Sequence, residues 1–171
     1  MVLLLALSLV GCQKPRQLNY STAENLNAMN TEPGQPVMLG LYQLSGRPDG
    51  IADQNCKSLK DHEATLSLLE NWLVPSAEQL SVTPNTARAH TMKRLEDARW
   101  LLVVPYYQQC DPNEVSSWAL IRLRRGKREL YIDLNSYQLS LPWERRLPRG
   151  RARRQRGNID GEPHHVIWKV Y

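Results

Sequence analysis

Apolar side chains in this chain recur mostly at every second position, and that period, broken by turn-forming residues, predicts a β protein. Leu18, Tyr20 and Thr22, then Leu26 and Ala28, set out a first strand with a break near Ala23 and Glu24. The stretch NTEPGQP, Asn30 to Pro36, holds two prolines and a glycine; it cannot continue a ladder and is expected as an exposed loop. Val37 to Leu44, VMLGLYQL, is apolar on both alternating faces, with Val37, Leu39 and Leu41 opposed to Met38, Tyr42 and Leu44. That is the pattern of a central strand covered on both sides.

After the turn-forming SGRPDG of Ser45 to Gly50 the period changes. Leu59, His62, Leu66, Leu69 and Leu73 fall at spacings of three and four, which predicts one helical face, with Ser58 and Asp61 as a weak capping pair and Pro75 as the stop. His62 on that stripe reads as a satisfied, half-buried side chain rather than a ligand. Strand character returns at Leu80 and Val82 and, past Pro84-Asn85-Thr86, over Ala89 to Arg94. Trp100 to Tyr107, WLLVVPYY, is the second strongly apolar run, in which Pro105 removes a ladder donor and implies an edge or a bulge. Past a turn at Cys110 to Asn113, Trp118 to Leu123 alternates, and Arg124 to Lys127 is expected to close a hairpin onto Leu130, Ile132 and Leu134. Asn135-Ser136 then turns into Tyr137, Leu139 and Leu141. About eight strands with one helical insertion, at about 53–74, predict a β-sandwich over residues 17–143.

Both ends of the chain depart from this pattern. Residues 2–10, VLLLALSLV, have the length of a signal-peptide core, whereas a spanning helix needs about 20 apolar residues, so 1–11 are expected to be removed. No Lys or Arg precedes the run; a start codon set too late or a trimmed chain would account for the missing n-region. Leu9-Val10-Gly11-Cys12 resembles the bacterial lipobox, which makes Cys12 the lipidated N-terminus of the mature protein and 12–16 a short linker. Several acyl chains on one residue hold a protein on a bilayer where a single chain does so only marginally. The competing reading is a chance Gly-Cys. By resemblance to lipoprotein sorting, Gln13 in the place of Asp favours the outer membrane.

At the other end, Arg145 to Arg156 carries seven arginines in twelve residues with almost no apolar group, so 144–171 is expected as a basic, flexible tail. Three readings of it compete: a solvated tail, a contact with an anionic surface, or a shifted reading frame. The closing HHVIWKVY alternates enough for a short added strand, and His164-His165 lacks the partners of a metal site.

Charge narrows the classes of partner. Residues 1–143 carry 14 Lys/Arg and 14 Asp/Glu, and 144–171 carry 8 against 3, so the formal +5 of the chain lies wholly in the tail. A body of zero net charge argues against nucleic-acid binding. With Cys12 lipidated, Cys56 and Cys110 remain as a pair in an oxidising compartment, where a disulfide is expected and two free thiols are the alternative. Closing that loop would stabilise the fold by roughly 4 kcal/mol in the chain-entropy model. No GxSxG, HExxH, phosphate loop, CxxC or metal-ligand spacing occurs, so no catalytic residue, metal or cofactor beyond the lipid on Cys12 is assigned.

The order of a lipobox, LNAMNTEPGQP, VMLGLYQL, a Leu-rich helical insert, ARWLLVVPYY, SSWALIRL and RELYIDL resembles the TssJ lipoprotein family of type VI secretion systems over roughly Cys12 to Leu141. That family's second strand ends in Tyr-x-Leu, as Tyr42-Gln43-Leu44 does, and its VVAAYR-like run with a following tryptophan is approximated by Leu102 to Tyr107 and Trp118. Pro105 and the arginines after residue 144 depart from it. The resemblance implies a transthyretin-like two-sheet sandwich on the periplasmic face of the outer membrane. Its implied role is structural, binding the periplasmic domain of the inner-membrane protein TssM. It further implies that the loop between the first two strands carries the contact, here through Thr31, Glu32, Gly34 and Gln35. The runner-up is a periplasmic carrier or sensor, which requires an apolar cavity between the sheets. A lipoprotein hydrolase, with a nucleophile and base brought together only by the fold, is the third.

Overall fold

The computed structural model describes residues 15–28, 33–54, 56–108, 118–124, 126 and 128–141, together with the backbone of 168–169. Among the described residues nine strands form two sheets: β1 (Arg16–Thr22), β2 (Val37–Leu44), β3 (Leu73–Val82), β4 (Ala87–Met92), β5 (Trp100–Tyr106), β6 (Ala119–Arg122), β7 (Glu129–Asn135), β8 (Gln138–Ser140) and β9 (Trp168–Lys169). One sheet has the order β4-β1-β7-β8 and the other β3-β2-β5-β6-β9. All neighbours run antiparallel except β1 with β7 and β6 with β9. This is the two-sheet sandwich that the alternation predicts.

The two faces of β2 explain why it is the most legible strand. Leu39 and Leu41 join Leu18, Leu101, Val103, Ile121, Leu130, Ile132 and Leu134 in the core between the sheets. Tyr42 and Leu44 point the other way, into a second core with Leu102, Val104, Trp118 and Leu120, closed by Ile51, Leu59 and Leu69 from the insertion between β2 and β3. Burying both faces in separate apolar layers leaves β2 no register but one.

The insertion holds a 3-10 turn, Ile51–Asp53, and helix α1, His62–Leu69. Asp61 itself is the cap, its carboxylate accepting from the Ala64 N–H at 2.8 Å, so the expected Ser58–Asp61 pair reduces to one residue. The helix also stops a turn sooner than its periodicity predicts. Leu73 opens β3, and Pro75 lies in that strand, where pairing jumps from Tyr42–Ala77 to Leu44–Leu73. An irregularity on an edge strand is where a residue without an N–H is tolerated, so proline marks a bulge here rather than a helix stop.

Hydroxyl groups fasten the insertion to the sheet. The Tyr42 hydroxyl lies 2.7 Å from His62 Nδ1 and also bonds Tyr106, whose hydroxyl donates to Thr65 Oγ1 at 3.1 Å. Trp118 Nε1 donates to the Gln54 carbonyl at 3.1 Å. His62 is therefore a satisfied structural side chain. Burial pushes the Tyr42 hydroxyl well above the ordinary tyrosine range and raises that of Tyr106. Cys56, in the same insertion, is disulfide-bonded; Cys110, the partner expected for it, lies outside the described residues, as does Cys12.

Three further expectations change. Residues 24–27 form a turn, so Leu26 belongs to the loop after β1 rather than to a strand. Pro105 sits in an interior strand without a register shift against β2, but past Val103, the last residue paired to β6. The hairpin expected between Leu123 and Leu130 is absent, because the chain crosses there from one sheet to the other and β7 pairs with β1 and β8.

Candidate docking site

Strand directions sort the connections onto two ends of the sandwich. The end reached by β1 at Thr22 gathers the β1–β2 loop, the β3–β4 turn, the residues after β5 and the β7–β8 turn. The other end gathers the start of β1, the entry to the insertion, the β4–β5 loop and the β6–β7 crossing.

At the first end the β1–β2 loop doubles back on itself. Thr22 anchors its root, its Oγ1 donating to the Thr83 carbonyl at 2.7 Å and accepting from the Thr86 N–H at 2.8 Å, while the Ala23 N–H reaches the Leu134 carbonyl at 2.8 Å. The inner limb then plunges: Leu26 and Asn27 are 0% and 1% exposed. Leu26 supplies the apolar anchor in the sandwich core.

Asn27 ties three other segments together. Its N–H donates to the Ser136 carbonyl at 2.6 Å, its Oδ1 accepts from the Gln108 N–H at 2.9 Å, and its Nδ2 donates to the Pro36 carbonyl at 3.4 Å. Its φ of 52° is left-handed, a conformation asparagine accepts more readily than other side-chain-bearing residues. Tyr137 adds its hydroxyl to the Ala28 carbonyl and packs edge-on against Tyr107, with ring centres 5.8 Å apart.

The outer limb, 33–36, rests on the inner one. The Gln35 N–H donates to the Leu26 carbonyl at 2.7 Å. Gly34 passes so close to Glu24 that a Cβ would stand 2.1 Å from its carbonyl oxygen, which only glycine permits. Of the four residues the family resemblance nominated for contact, Gly34 and Gln35 thus lie on a fixed, half-exposed limb; Thr31 and Glu32 lie outside the described residues. The turn at Asn27 was readable as a loop, but its role as a buried junction was not, because its partners are 9, 81 and 109 residues away.

The opposite end has another chemistry. A cleft of about 730 Å³ opens there, lined by Arg47, Arg99, Trp100, Arg122 and Arg124 with Ser45, Gly46 and Leu123. It is not the apolar cavity between sheets that a carrier requires; that interface is filled by the first core. Among the described residues no group of His, Cys, Asp and Glu could hold a metal ion, and no helix is long and apolar enough to cross a membrane.

Comparison with known proteins supplies the context. Residues 14–137 match the family model described as type VI secretion lipoprotein, VasD, EvfM, TssJ. Among solved structures, Lip of Serratia marcescens, described as a membrane-bound component of the type VI secretion system, aligns with a TM-score of 0.62 at 19% identity, over 74% of this chain and 96% of that one. The lipoprotein TssJ1 of Pseudomonas aeruginosa aligns with a TM-score of 0.62 at 20% identity, over 75% and 95%. A chain of the structure described as the TssM C-terminal domain from EAEC aligns with a TM-score of 0.58 at 15% identity, over 79% and 98%. No curated protein matches by sequence.

Proposed function

We propose, on the premise that this chain belongs to the type VI secretion lipoprotein family of TssJ and VasD, that it docks the periplasmic domain of TssM through the β1–β2 loop. In this reading the protein is a structural component of the secretion membrane complex. Acyl chains on Cys12 hold it in the outer membrane with the sandwich in the periplasm.

The observation that carries the reading is the loop's two-limbed base. A loop whose two limbs are held by Asn27, Gly34 and the Gln35 N–H, and stiffened by Pro33 and Pro36, leaves those limbs little to order on binding. Thr31 and Glu32, which join the two limbs in the sequence, are with Gly34 and Gln35 the proposed contact residues. A Cys56–Cys110 bond would tie the insertion to the segment after β5. The arginine-rich stretch 145–156 is accessory: replacing its seven arginines should leave binding as in the full chain.

The test is replacement of residues 29–36 by a Gly-Ser segment of equal length. Affinity for the TssM periplasmic domain from the same genome should fall by about 100-fold or more, as expected when a central contact is removed. Unchanged affinity would overturn the assignment.

A further inference from the structure

We propose that the arginine-lined cleft at the end of the sandwich opposite the docking loop binds the phosphate head groups of anionic phospholipid in the anchoring membrane. This rests on the acyl-anchor reading of Cys12.

The cleft is a concentration of one charge sign. Arg99, Arg122 and Arg124 are exposed and line it together with Arg47, and no carboxylate is among its lining residues. Arg122 stands over the Trp100 ring, 5.9 Å from its centre, so one wall is an aromatic face with a guanidinium on it. Planar guanidinium groups pair phosphate oxygens two at a time, and an aromatic ring tolerates the interface where head group meets acyl chain.

The arginines are held in place by the backbone around them. The Arg99 N–H donates to the Leu44 carbonyl at 2.8 Å, and the Leu123 N–H to the Arg99 carbonyl at 2.7 Å. Gln43, 2% exposed, grips the β4–β5 loop from beneath, donating to the Lys93 carbonyl at 2.7 Å and accepting from the Leu95 N–H at 2.9 Å. Positive charge continues behind the cleft, where burial and the neighbouring Arg94 push the Arg16 guanidinium down from its ordinary range.

Position supplies the ligand. Arg16 Nη2 donates to the Arg124 carbonyl at 2.6 Å, so the first residue of β1 touches the cleft wall. Cys12 precedes Arg16 by four residues, which reach at most about 14 Å when extended. An acylated Cys12 therefore keeps this end of the sandwich, and not the other, close to the head groups, within about two Debye lengths of the bilayer surface.

The test uses the full chain with Cys12→Ser, so that no acyl chain contributes. Its partition into vesicles of phosphatidylcholine alone is compared with that into an equal mixture of phosphatidylcholine and phosphatidylglycerol. Residues 2–10 contribute alike to both, and the ratio isolates the anionic term. The chain should prefer the mixture, and Arg99→Ser, Arg122→Ser and Arg124→Ser together should cut that preference on the order of 100-fold, at roughly fivefold per charge. The corresponding three lysine substitutions should retain most of it, with the circular dichroism of both forms unchanged. A preference that survives the serine substitutions, or that falls only when the arginines of 145–156 are replaced, overturns the proposal. Mass spectrometry of the membrane-extracted wild-type protein tests the anchor separately; a chain without acyl groups would remove that reading while leaving the vesicle result to stand or fall alone.

Discussion

The two ends of the sandwich spend their polar groups in opposite ways. At the docking end the described loops, 23–28, 33–36, 83–86, 107–108 and 135–138, contain one carboxylate, Glu24, and no Lys or Arg. Their amides and hydroxyls are turned inward, onto Asn27, Thr22 and Tyr137, to stiffen a surface of little charge. At the other end backbone bonds, the buried Gln43 amide and the Arg16 guanidinium do the stiffening, and Arg47, Arg99, Arg122 and Arg124 line an open cleft. A stiffened surface of little charge suits a protein partner, whose affinity depends on fit and on low ordering cost. A charged rim suits a surface that offers many equivalent phosphates and demands no single geometry.

Substitutions confined to one end should leave the other untouched, and the largest effect is expected at Gly34. Gly34→Val forces a side chain into the space of the Glu24 carbonyl; it should lower stability to urea by about 3 kcal/mol and abolish TssM binding, with vesicle partition of the Cys12→Ser form preserved. Asn27→Ala removes two side-chain bonds from a buried site and strains a left-handed residue. A loss of about 2 to 3 kcal/mol in the same unfolding measurement is expected, of which Asn27→Gly should recover the backbone part.

Gln43→Leu acts on the opposite end. It leaves the Lys93 carbonyl and the Leu95 N–H without their buried partner, which should cost about 2 kcal/mol and weaken vesicle binding while TssM affinity holds. The smallest effect is one of pH. Burial raises Tyr42 and Tyr106 beneath the insertion and Tyr107 at the docking end above the ordinary tyrosine value. Because the folded protein disfavours the charged phenolates, their contribution is fully present below about pH 10 and is lost as pH rises beyond it. Tyr42→Phe should blunt that alkaline decline by removing one of the three groups, read by thermal melts across the alkaline range.

Much of the fold was legible because it is local. Val37 to Leu44 is apolar on both faces and is bounded by proline and by a Ser-Gly turn, so its extent as a strand matches β2 residue for residue. Its closing Tyr42-Gln43-Leu44 also gains a physical meaning, since Tyr42 holds α1 through His62, Gln43 holds the β4–β5 loop and Leu44 fills the outer core. What failed was non-local. The Gly126 region looks like a hairpin, but whether the next strand returns to the same sheet depends on β1, more than a hundred residues earlier. Pro75 looks like a stop because nothing in its neighbours announces a bulge. The cleft was hidden by averaging: zero net charge over residues 1–143 conceals arginines at 47, 99, 122 and 124 that only the sheets bring to one end.

The division of labour between the two ends is tested most directly by titrating the TssM periplasmic domain against three forms of the chain. These are the unaltered protein, the form with residues 29–36 replaced, and the form with Arg99, Arg122 and Arg124 changed to serine. The unaltered and arginine-depleted proteins should bind alike, at micromolar affinity or tighter, and the loop-replaced protein should not bind at the same concentrations. Binding retained without the loop, or lost with the arginines, would contradict the account.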